Sequence, residues 1–324
     1  MRLPGYLVTA LAELPSRASG SVAAASRQLT SRYKTADFAA PAVRTSADRA
    51  AYLATRLPAT FAANVNVFSE LRRLAPQVEI SSLLDLGAGP GTSLLAAAEV
   101  FPELAQATLL ETDPQWLELG RQLAARSHLS SVRDAEWLRR DMRELGELKP
   151  HDLVVISYSL GELAPATVPE RILHKAWLSA AKFLVVIEPG TRRGFAAVNA
   201  AHSWLISQQA GILAPCPHKE VCPMAAANDW CHFSQRLERS SEHRLAKHGS
   251  LGYEDEKFSY VIGTRLDIPA AHARIVRHPR KHSGHVQLEL CTAKGVIEKR
   301  TVTRSNKEAY KRARQADWGD EWEE

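Results

Sequence analysis

A short apolar run meets three closely spaced glycines in Leu83-Leu84-Asp85-Leu86-Gly87-Ala88-Gly89-Pro90-Gly91-Thr92. The apolar run is typical of a buried strand, and the residues after the glycines have a helical pattern. A strand, a glycine turn and a helix form the first half of a nucleotide-binding unit. Glycine suits the turn because the backbone bends sharply there and a ligand must approach it closely. The stretch therefore predicts a nucleotide-binding α/β domain; the alternative is the same fold without a ligand.

An acidic residue lies where it would contact a ribose. The apolar residues 107–110 end at Glu111, about twenty positions beyond the last glycine. The G-x-G-x-G spacing and the leading acid resemble the S-adenosylmethionine (SAM) loop of class I methyltransferases. These enzymes often place an acid near the adenine, which Asp141 matches here; a solvated loop acid is the alternative for that residue. The predicted cofactor-binding residues are Asp85, Gly87, Ala88, Gly89, Gly91, Glu111, Asp141 and Ser157.

Five apolar segments alternate with helical patterns along the middle of the chain. The strands are predicted near residues 82–86, 107–111, 132–138, 152–157 and 182–187. Asp113 and Pro114 are typical of the start of a helix, which we predict at 115–126. This alternation favours one doubly wound, Rossmann-like α/β sheet.

The residues before the sheet have helical spacing over 1–35 and 46–76, with a helix start or kink predicted at Pro58. We assign no chemistry to these helices and expect them to cover the sheet. The scarcity of acids before Glu13 weakly resembles a mitochondrial transit peptide, but surface helices are the preferred interpretation. A bacterial cytoplasmic location is therefore predicted first, with the mitochondrial matrix as the alternative.

The end of the fourth predicted strand differs from that of known amino-group methyltransferases. Those enzymes commonly carry Asn/Asp-Pro-Pro-Tyr/Phe there, where the motif holds the target nitrogen. This chain has Ser-Tyr-Ser-Leu-Gly-Glu-Leu at residues 157–163 instead. The sequence therefore contains the cofactor half of a methyltransferase without its usual catalytic half, and no catalytic residue is assigned.

All four cysteines lie in the C-terminal third of the chain. Three of them fall within sixteen residues, and the fourth follows sixty residues later in a strand-like segment. Four thiolates suit zinc or an iron–sulfur cluster, and the spacing alone does not choose between the metals. Separate buried thiols are the alternative, whereas disulfides do not fit a chain that shows no sign of secretion. The candidate ligands are Cys216, Cys222, Cys231 and Cys291, with His218 and His232 as further candidates.

Positive charge is concentrated near the C-terminus. The 324-residue chain has a net charge of +5, yet residues 265–314 contain thirteen Arg or Lys residues and only four acidic ones. Such a cluster can neutralise the phosphates of a nucleic acid; a solvated charged surface is the alternative. No apolar run reaches the roughly eighteen residues that a membrane-spanning helix needs. The predicted RNA-binding residues are Arg277, Arg280, Lys281, Arg300, Arg304, Lys311 and Arg312.

Together these features resemble a family of methyltransferase-like assembly proteins of the small ribosomal subunit, known in mitochondria and with bacterial relatives. The cysteine arrangement is the most specific match. The other matching segments are residues 52–71, 85–91, 157–163, 187–191, 256–260, 283–285 and 312–320.

The resemblance implies a class I methyltransferase fold, SAM binding and a 4Fe-4S cluster on the four cysteines in a metal-bound C-terminal insertion. It also implies association with the small ribosomal subunit and its rRNA during assembly, with ribosomal proteins or other assembly factors as further partners. One alternative is an active SAM-dependent rRNA methyltransferase, and another is a zinc-stapled small-molecule methyltransferase. The expected regions are N-terminal helices at 1–79, the SAM-binding core at 80–212, the cluster insertion at 213–250, closing strands with a basic face at 251–303 and a tail at 304–324.

Overall fold

The computed structural model describes residues 1–13, 19–35, 42–146, 148–163, 167–239 and 251–323. The helices are α1 (Gly5–Glu13), α2 (Ser19–Thr35), α3 (Ser46–Leu74), α4 (Thr92–Val100), α5 (Pro114–Ala124), α6 (Ser130–Arg133), α7 (Thr167–Ser179), α8 (Arg192–Ser207), α9 (Pro223–Ala226) and α10 (Lys307–Gln315). The strands are β1 (Ser82–Leu86), β2 (Gln106–Glu111), β3 (Glu136–Arg139), β4 (His151–Ser157), β5 (Ala180–Pro189), β6 (Gly211–Ala214), β7 (Phe233–Glu238), β8 (Tyr253–Thr264), β9 (Ala273–Ile275), β10 (Arg280–Lys281), β11 (His285–Thr292) and β12 (Ile297–Thr303).

The central sheet has the strand order β3-β2-β1-β4-β5-β8-β6, and β7 pairs with β8. Strands β1 to β5 pair in parallel, and β8 runs antiparallel to β5. The predicted doubly wound, Rossmann-like sheet is therefore confirmed. In such sheets a ligand binds beyond the carboxyl ends of the parallel strands, where the strand order reverses. That edge lies beyond β1 and β4.

Alternating residues of the buried strands serve two separate cores, one on each face of the sheet. Leu83, Leu153 and Val155 pack on one face with α3, α4 and α5. Leu84 and Val154 pack on the other face with α7 and α8. Since successive side chains of a strand point to opposite faces, a continuous apolar run is what a sheet covered on both sides requires.

The sheet extends beyond the predicted core boundary at residue 212. Strand β6 crosses this boundary, and β7 and β8 join the sheet from the predicted cluster insertion and the predicted closing strands. The physical reason is that β8 is a long strand, which pairs with β5 and also with β6 and β7. Residues 240–250 of the predicted insertion and Glu324 of the predicted tail lie outside the described residues.

Helix α3 crosses one face of the sheet and is longer than a typical helix. It begins with a capping box in which the Thr45 side chain accepts from the Asp48 N–H and the Asp48 side chain accepts from the Thr45 N–H. Pro58 lies inside the helix rather than at its start. Leu57, Phe61 and other residues of α3 are buried against the sheet, which confirms that it covers a face.

The predicted third strand at 132–138 is wrong in its bounds. Residues 130–133 form the short helix α6, and the strand begins only at Glu136. Val132 is fully buried, so its apolar side chain contributes to the core from a helix and not from a strand. A short segment with one buried valine carries no period that separates the two structures.

A second sheet of four strands lies near the C-terminus, where β11 pairs with β9, β10 and β12. Val286, Leu288 and Leu290 alternate along β11 and form a small core with Ala313 of α10 and Trp322. Among the described residues, no helix is both long and apolar enough to cross a membrane.

Candidate cofactor and metal sites

The glycine loop after β1 adopts a backbone that requires glycine. Gly87, Gly89 and Gly91 all have positive φ angles, of 77°, 53° and 81°. A Cβ on Gly87 would lie 2.4 Å from Met142 Cε, and one on Gly91 would lie 2.7 Å from Trp137. A Cβ on Gly89 would meet no described atom within 4 Å. The middle of the loop is therefore the part that a ligand can approach.

Glu111 at the end of β2 is bound to the glycine loop. Its Oε2 accepts from the Gly89 N–H at 2.9 Å, and its Oε1 accepts from the N–H groups of Thr112 and Asp113 at 2.7 and 2.9 Å. The structure thus brings the predicted ribose-binding acid and the loop together. Oε1 also accepts from the Thr112 hydroxyl at 3.2 Å, whereas Gly89 is the one described donor to Oε2, so Oε2 is the oxygen with capacity for a ribose hydroxyl.

Asp85 is a buried carboxyl group whose described neighbours do not fully satisfy it. It is 1% exposed, and neither carboxylate oxygen accepts a hydrogen bond of good geometry from the described residues, although the Ser93 hydroxyl interacts with the group. Burial raises the pKa of Asp85 to about 7, the Ser93 hydroxyl opposes this shift, and the charge of Glu111 adds to it. A buried acceptor without a donor is costly, so this position favours a ligand that carries hydrogen-bond donors or positive charge.

Two further predicted cofactor residues are Ala88, which lies in the glycine loop, and Asp141, which lies after β3 and pairs with Arg143. The Ala88 N–H donates to the Leu110 carbonyl oxygen at 3.0 Å. The Asp141 carboxylate accepts from the backbone N–H and the guanidinium of Arg143, which lowers its pKa. Asp141 is therefore already paired, and its contact with an adenine stays a prediction.

Ser157 ends β4 and receives a hydrogen bond from a helix to which the sequence assigned no chemistry. Asn64 Nδ2 of α3 donates to Ser157 Oγ at 2.9 Å. Asn64 is fully buried, and it follows Phe61 and precedes Phe68 on the same apolar face. A polar residue at an apolar position of a helix indicates a buried polar contact, and Asn64 is such a residue in the sequence of α3.

The backbone after β4 is strained at the position of the usual catalytic motif. Tyr158 has φ 56°, a left-handed conformation that is uncommon for a bulky residue and that clusters at functional sites. Its hydroxyl donates to Glu256 Oε1 at 3.0 Å. The Gly161 N–H donates to Glu188 Oε1 at 3.0 Å. These bonds fix the segment that follows β4 against β5 and β8.

The four cysteines come together around one cavity. Cys216, Cys222, Cys231 and Cys291 all line it, together with side chains of α8 and β8. None of the four cysteines forms a disulfide, and they come from different local structures. Cys222 caps α9, Cys231 precedes β7, and Cys291 lies on β11. The structure therefore places the four candidate ligands around one cavity, and their role as metal ligands stays a prediction.

Burial and mutual repulsion raise the pKa values of the thiols of Cys216, Cys231 and Cys291. Burial raises the pKa of Cys231 and of Cys291 to about 12, with the charge of Cys222 adding to it in both cases. The pKa of Cys216 lies well above its ordinary value for the same reasons. The guanidinium of Arg274 opposes these shifts in all three thiols. A bound metal would deprotonate the thiols outright.

Arg274 is a buried cation that no pattern in the sequence separates from the other basic residues. It is 1% exposed and lines the cysteine cavity. Its Nε donates to the Pro215 carbonyl oxygen at 3.0 Å, and its Nη1 donates to Glu70 Oε1 and to the Gly319 carbonyl oxygen. It thereby joins the segment before Cys216 to α3 and to the C-terminal tail.

The chemistry of the cavity wall fits an anionic group of acceptors. His202 Nε2 and Arg274 Nη2 are buried without a described hydrogen-bond partner; the latter lies 3.7 Å from Glu321 Oε1. Thiolates and the sulfides of a cluster are acceptors that such donors can reach. Within the described ranges, no three His, Cys, Asp or Glu side chains are arranged around a single ion position. The metal-bound insertion therefore stays a prediction.

The two candidate histidine ligands have other contacts. His218 Nε2 lies 3.3 Å from Cys291 Sγ, within hydrogen-bond distance of a sulfur atom. His232 stacks on Trp230 with a centroid distance of 5.4 Å and meets Trp318 edge-on at 4.8 Å. His218 thus touches a candidate ligand, and His232 is part of an aromatic group beside Cys231.

The seven predicted RNA-binding residues lie on several elements. Arg280 and Lys281 are exposed on β10, and Lys311 is exposed on α10. Arg277 pairs with Asp229 at 2.6 Å beside the cysteine region. The remaining contacts of this group are Arg300 with Glu298, Arg304 over the Tyr310 ring and Arg312 over the Trp322 ring.

Comparisons with known proteins give one family and several distant structures. Residues 46–323 match the family model described as mitochondrial small ribosomal subunit Rsm22. The chain is 27% identical over 289 residues to the human mitochondrial ribosome assembly protein METTL17, covering 83% of this chain and 61% of that protein. It is 22% identical over 404 residues to the Saccharomyces cerevisiae mitochondrial ribosome assembly protein RSM22, covering 79% of this chain and 64% of that protein.

The chain therefore spans less than two thirds of the length of each of these relatives.

Among solved structures, the Synechocystis magnesium protoporphyrin IX methyltransferase with bound SAM superposes with a TM-score of 0.41 and 10% identity. That match covers 64% of this chain and 80% of the methyltransferase.

Replacement of Asp85 by Asn should remove a pH dependence of stability. The pKa of Asp85 is raised to about 7 in the folded state. The contribution of this group to the stability of the fold is therefore fully present below the ordinary pKa of an aspartate, and it is lost as the pH rises from there through 7. We expect wild type to lose on the order of 4 kcal/mol of unfolding free energy from this group between pH 4 and 8. Urea unfolding of Asp85→Asn at several pH values should show a flatter profile. The exposed Asp134→Asn is the control, and an unchanged slope in Asp85→Asn would contradict the assignment.

Replacement of Arg274 by Met should destabilise the fold strongly. The substitution removes the donor of the Pro215 and Gly319 carbonyl oxygens and one of the two arginine partners of Glu70, which keeps its contact with Arg73. Each buried acceptor that loses its donor costs about 1–3 kcal/mol, which chemical denaturation can measure. The exposed Arg280→Met should change the free energy of unfolding by less than about 0.5 kcal/mol. Equal effects in the two variants would show that Arg274 is not the central contact.

Proposed function

The chain belongs to the family of the mitochondrial small ribosomal subunit protein Rsm22, and we propose that it is an assembly factor of the small ribosomal subunit. In this proposal the chain binds rRNA, holds SAM at the glycine loop and carries a 4Fe-4S cluster on its four cysteines. The observation that carries it is that Cys216, Cys222, Cys231 and Cys291 line one cavity in a member of this family. The names of both relatives, ribosome assembly proteins of mitochondria, support the process.

The same names support the mitochondrial alternative for the location of this chain. The bacterial cytoplasm, which the sequence predicts first, receives no support from them. The preference for the cytoplasm rests on a weak N-terminal pattern, and residues 14–18 of that region lie outside the described residues. The family match starts only at residue 46 and does not depend on this region.

SAM binding is supported by the chemistry of the glycine loop. Gly89 leaves the backbone open, Glu111 offers acceptor capacity beside it, and Asp85 is a buried acceptor without a described donor. Bound SAM would supply a methyl group that is activated by its bond to a sulfonium sulfur. The residues of this chain would bind and orient it. Because β4 ends in a Ser-Tyr-Ser sequence without the nitrogen-binding motif, methyl transfer is not part of the proposal.

The cluster, when bound, would supply iron–thiolate bonds between segments that are far apart in the chain. Cys216, Cys222 and Cys231 belong to the segment between β6 and β7, and Cys291 lies on β11 of the second sheet. His218 would hold the Cys291 sulfur in place through the contact at 3.3 Å. Arg274 would compensate part of the negative charge of the thiolates. The main effect on this chain is thus to fix the second sheet to the central one.

Binding of rRNA is supported by the exposed cations of the second sheet and of α10. Arg280 pairs with Gln287 in the sheet register, and Gln287 pairs with Thr301. Gln287 lies between the core residues Val286 and Leu288, so Arg280 lies on the face opposite the small core. The exposed Lys299 lies on the same face, on the other side of β11. Lys311 lies on α10, which covers the core face. These cations lie on both faces of the second sheet, so a flat ligand surface would not contact all of them. A folded RNA that passes around the edge of the second sheet would.

Replacement of Cys222 by Ser should abolish the metal centre. Anaerobically purified wild type should contain about four irons and four sulfides per chain, and Cys222→Ser should lose most of both. Because the cluster joins the two sheets, the variant should also unfold at a lower temperature. The neighbouring Val221→Ser is the control, since Val221 is 81% exposed and outside the cavity lining.

Two results of that analysis would contradict the cluster. One zinc per chain without sulfide would favour the zinc-stapled small-molecule methyltransferase instead. Full iron and sulfide content in Cys222→Ser would show that Cys222 is not a ligand.

Reversal of two exposed cations should weaken rRNA binding and its salt dependence. We expect Arg280→Glu with Lys281→Glu to reduce the affinity for small-subunit rRNA about tenfold or more. The slope of log affinity against log salt should fall by about 1 for each phosphate that the variant no longer neutralises. Arg171→Glu with Lys175→Glu, at exposed positions of α7, makes the same charge change elsewhere. Filter binding over a salt series measures both, and equal losses of affinity in the two double variants would refute this RNA surface.

A further inference from the structure

Asn64 presents a buried acceptor at the carboxyl edge of the sheet. Its Nδ2 donates to the Thr60 carbonyl oxygen at 2.8 Å and to Ser157 Oγ at 2.9 Å. A carbonyl oxygen can only accept, so the amide nitrogen must face Thr60, and the orientation of the amide is fixed. Its Oδ1 is then the remaining group, and it is buried without a hydrogen-bond partner in the described ranges. Asn64 is 0% exposed.

Asn64 shares this property with Asp85, whose two carboxylate oxygens also have no described hydrogen-bond partner. The two residues are close to the same loop. Asp85 pairs with Val155 in the parallel register of β1 and β4, and Ser157 lies two residues beyond Val155. Ser159 Oγ then donates to the Leu86 carbonyl oxygen at 3.1 Å, which ties the segment after β4 to the start of the loop.

The unpartnered groups at this edge define the ligand that completes it. Three oxygen atoms lack a hydrogen-bond partner, two of Asp85 and one of Asn64. The amide oxygen of Asn64 is always an acceptor, and the oxygens of Asp85 are acceptors without a proton to donate when the carboxyl group is ionised. A ligand that satisfies them must donate several hydrogen bonds, and a primary ammonium donates three. Glu111, the candidate ribose acid, lies on β2, on the opposite side of β1 from β4. The part of SAM on the β4 side is then its amino-acid end, which carries an ammonium group.

We propose that Asn64 is a specificity residue whose Oδ1 accepts a hydrogen bond from the α-ammonium group of SAM. This inference rests on the proposed SAM site. Asn64 then distinguishes SAM from 5′-methylthioadenosine, which has the same nucleoside and an S-methyl group on a neutral thioether but neither the sulfonium charge nor the amino-acid end. Ser157 acts through Asn64, because its hydroxyl accepts one of the two amide protons and so directs Oδ1.

Calorimetric titration of the full chain with SAM and with 5′-methylthioadenosine tests this inference. Asn64→Leu should weaken SAM binding about tenfold to a hundredfold, the usual loss for a hydrogen bond to a charged group. Binding of 5′-methylthioadenosine should stay the same, which also shows that the variant is folded around the nucleoside. Asn64→Ala removes the same acceptor with a smaller side chain and should give the same ratio.

Asn66→Leu is the matched control on the same helix. Asn66 Nδ2 donates to Gln235 Oε1 at 2.8 Å, so the control also removes one helix-to-sheet hydrogen bond of a part-buried asparagine. It should leave the affinities for both ligands unchanged.

Equal weakening of SAM and 5′-methylthioadenosine by Asn64→Leu would overturn the inference, because the side chain would then only support the pocket. Unchanged SAM affinity in both Asn64 variants would overturn it while leaving the SAM site intact. A wild-type chain that binds neither ligand would overturn the SAM site itself and the inference with it.

Discussion

The buried guanidinium of Arg274 joins three segments of this molecule that are far apart in the sequence. It contacts Glu70 of α3, the carbonyl oxygen before Cys216 and the carbonyl oxygen of Gly319. Burial of a charged group costs several kcal/mol unless hydrogen bonds and an opposite charge compensate for it. The contact is therefore stable only when α3, the cysteine segment, β9 and the tail are all in place. It also supplies the positive charge that favours thiolates in the adjoining cavity.

The two candidate sites of the fold have opposite chemical character. The glycine loop carries buried acceptors without described donors, at Asp85 and Asn64, whereas the cysteine cavity carries donors at His202 and Arg274. A cationic ligand suits the first site and an anionic cluster suits the second. The loop follows β1 and β8 lines the cavity, three strand positions apart, which corresponds to roughly 14 Å. Helix α3 reaches both sites, through Asn64 at one and through Glu70 at the other.

The sequence predicts much of this fold because its strongest patterns are local. The apolar runs of β1, β2, β4 and β5 and the glycine loop have few alternative structures, and Asp113 with Pro114 caps α5 as predicted. The bounds of β3 were missed because Val132 is buried from a helix. The roles of Asn64 and Arg274 depend on partners 93 and up to 204 positions away in the chain. No local pattern contains such partners, although a polar residue at a core position of α3 was a signal that could have been used.

Sedimentation of the chain with ribosomal particles tests its central role most directly. The full chain, expressed at its natural level, would be followed through a sucrose gradient of cell or organelle lysate at low salt. An assembly factor should sediment with particles at or below the mature small subunit and be absent from translating ribosomes. It should also leave these particles when the salt concentration is raised, since contacts with phosphates are salt-dependent. A chain found only at the top of the gradient at low salt would contradict a role in small-subunit assembly.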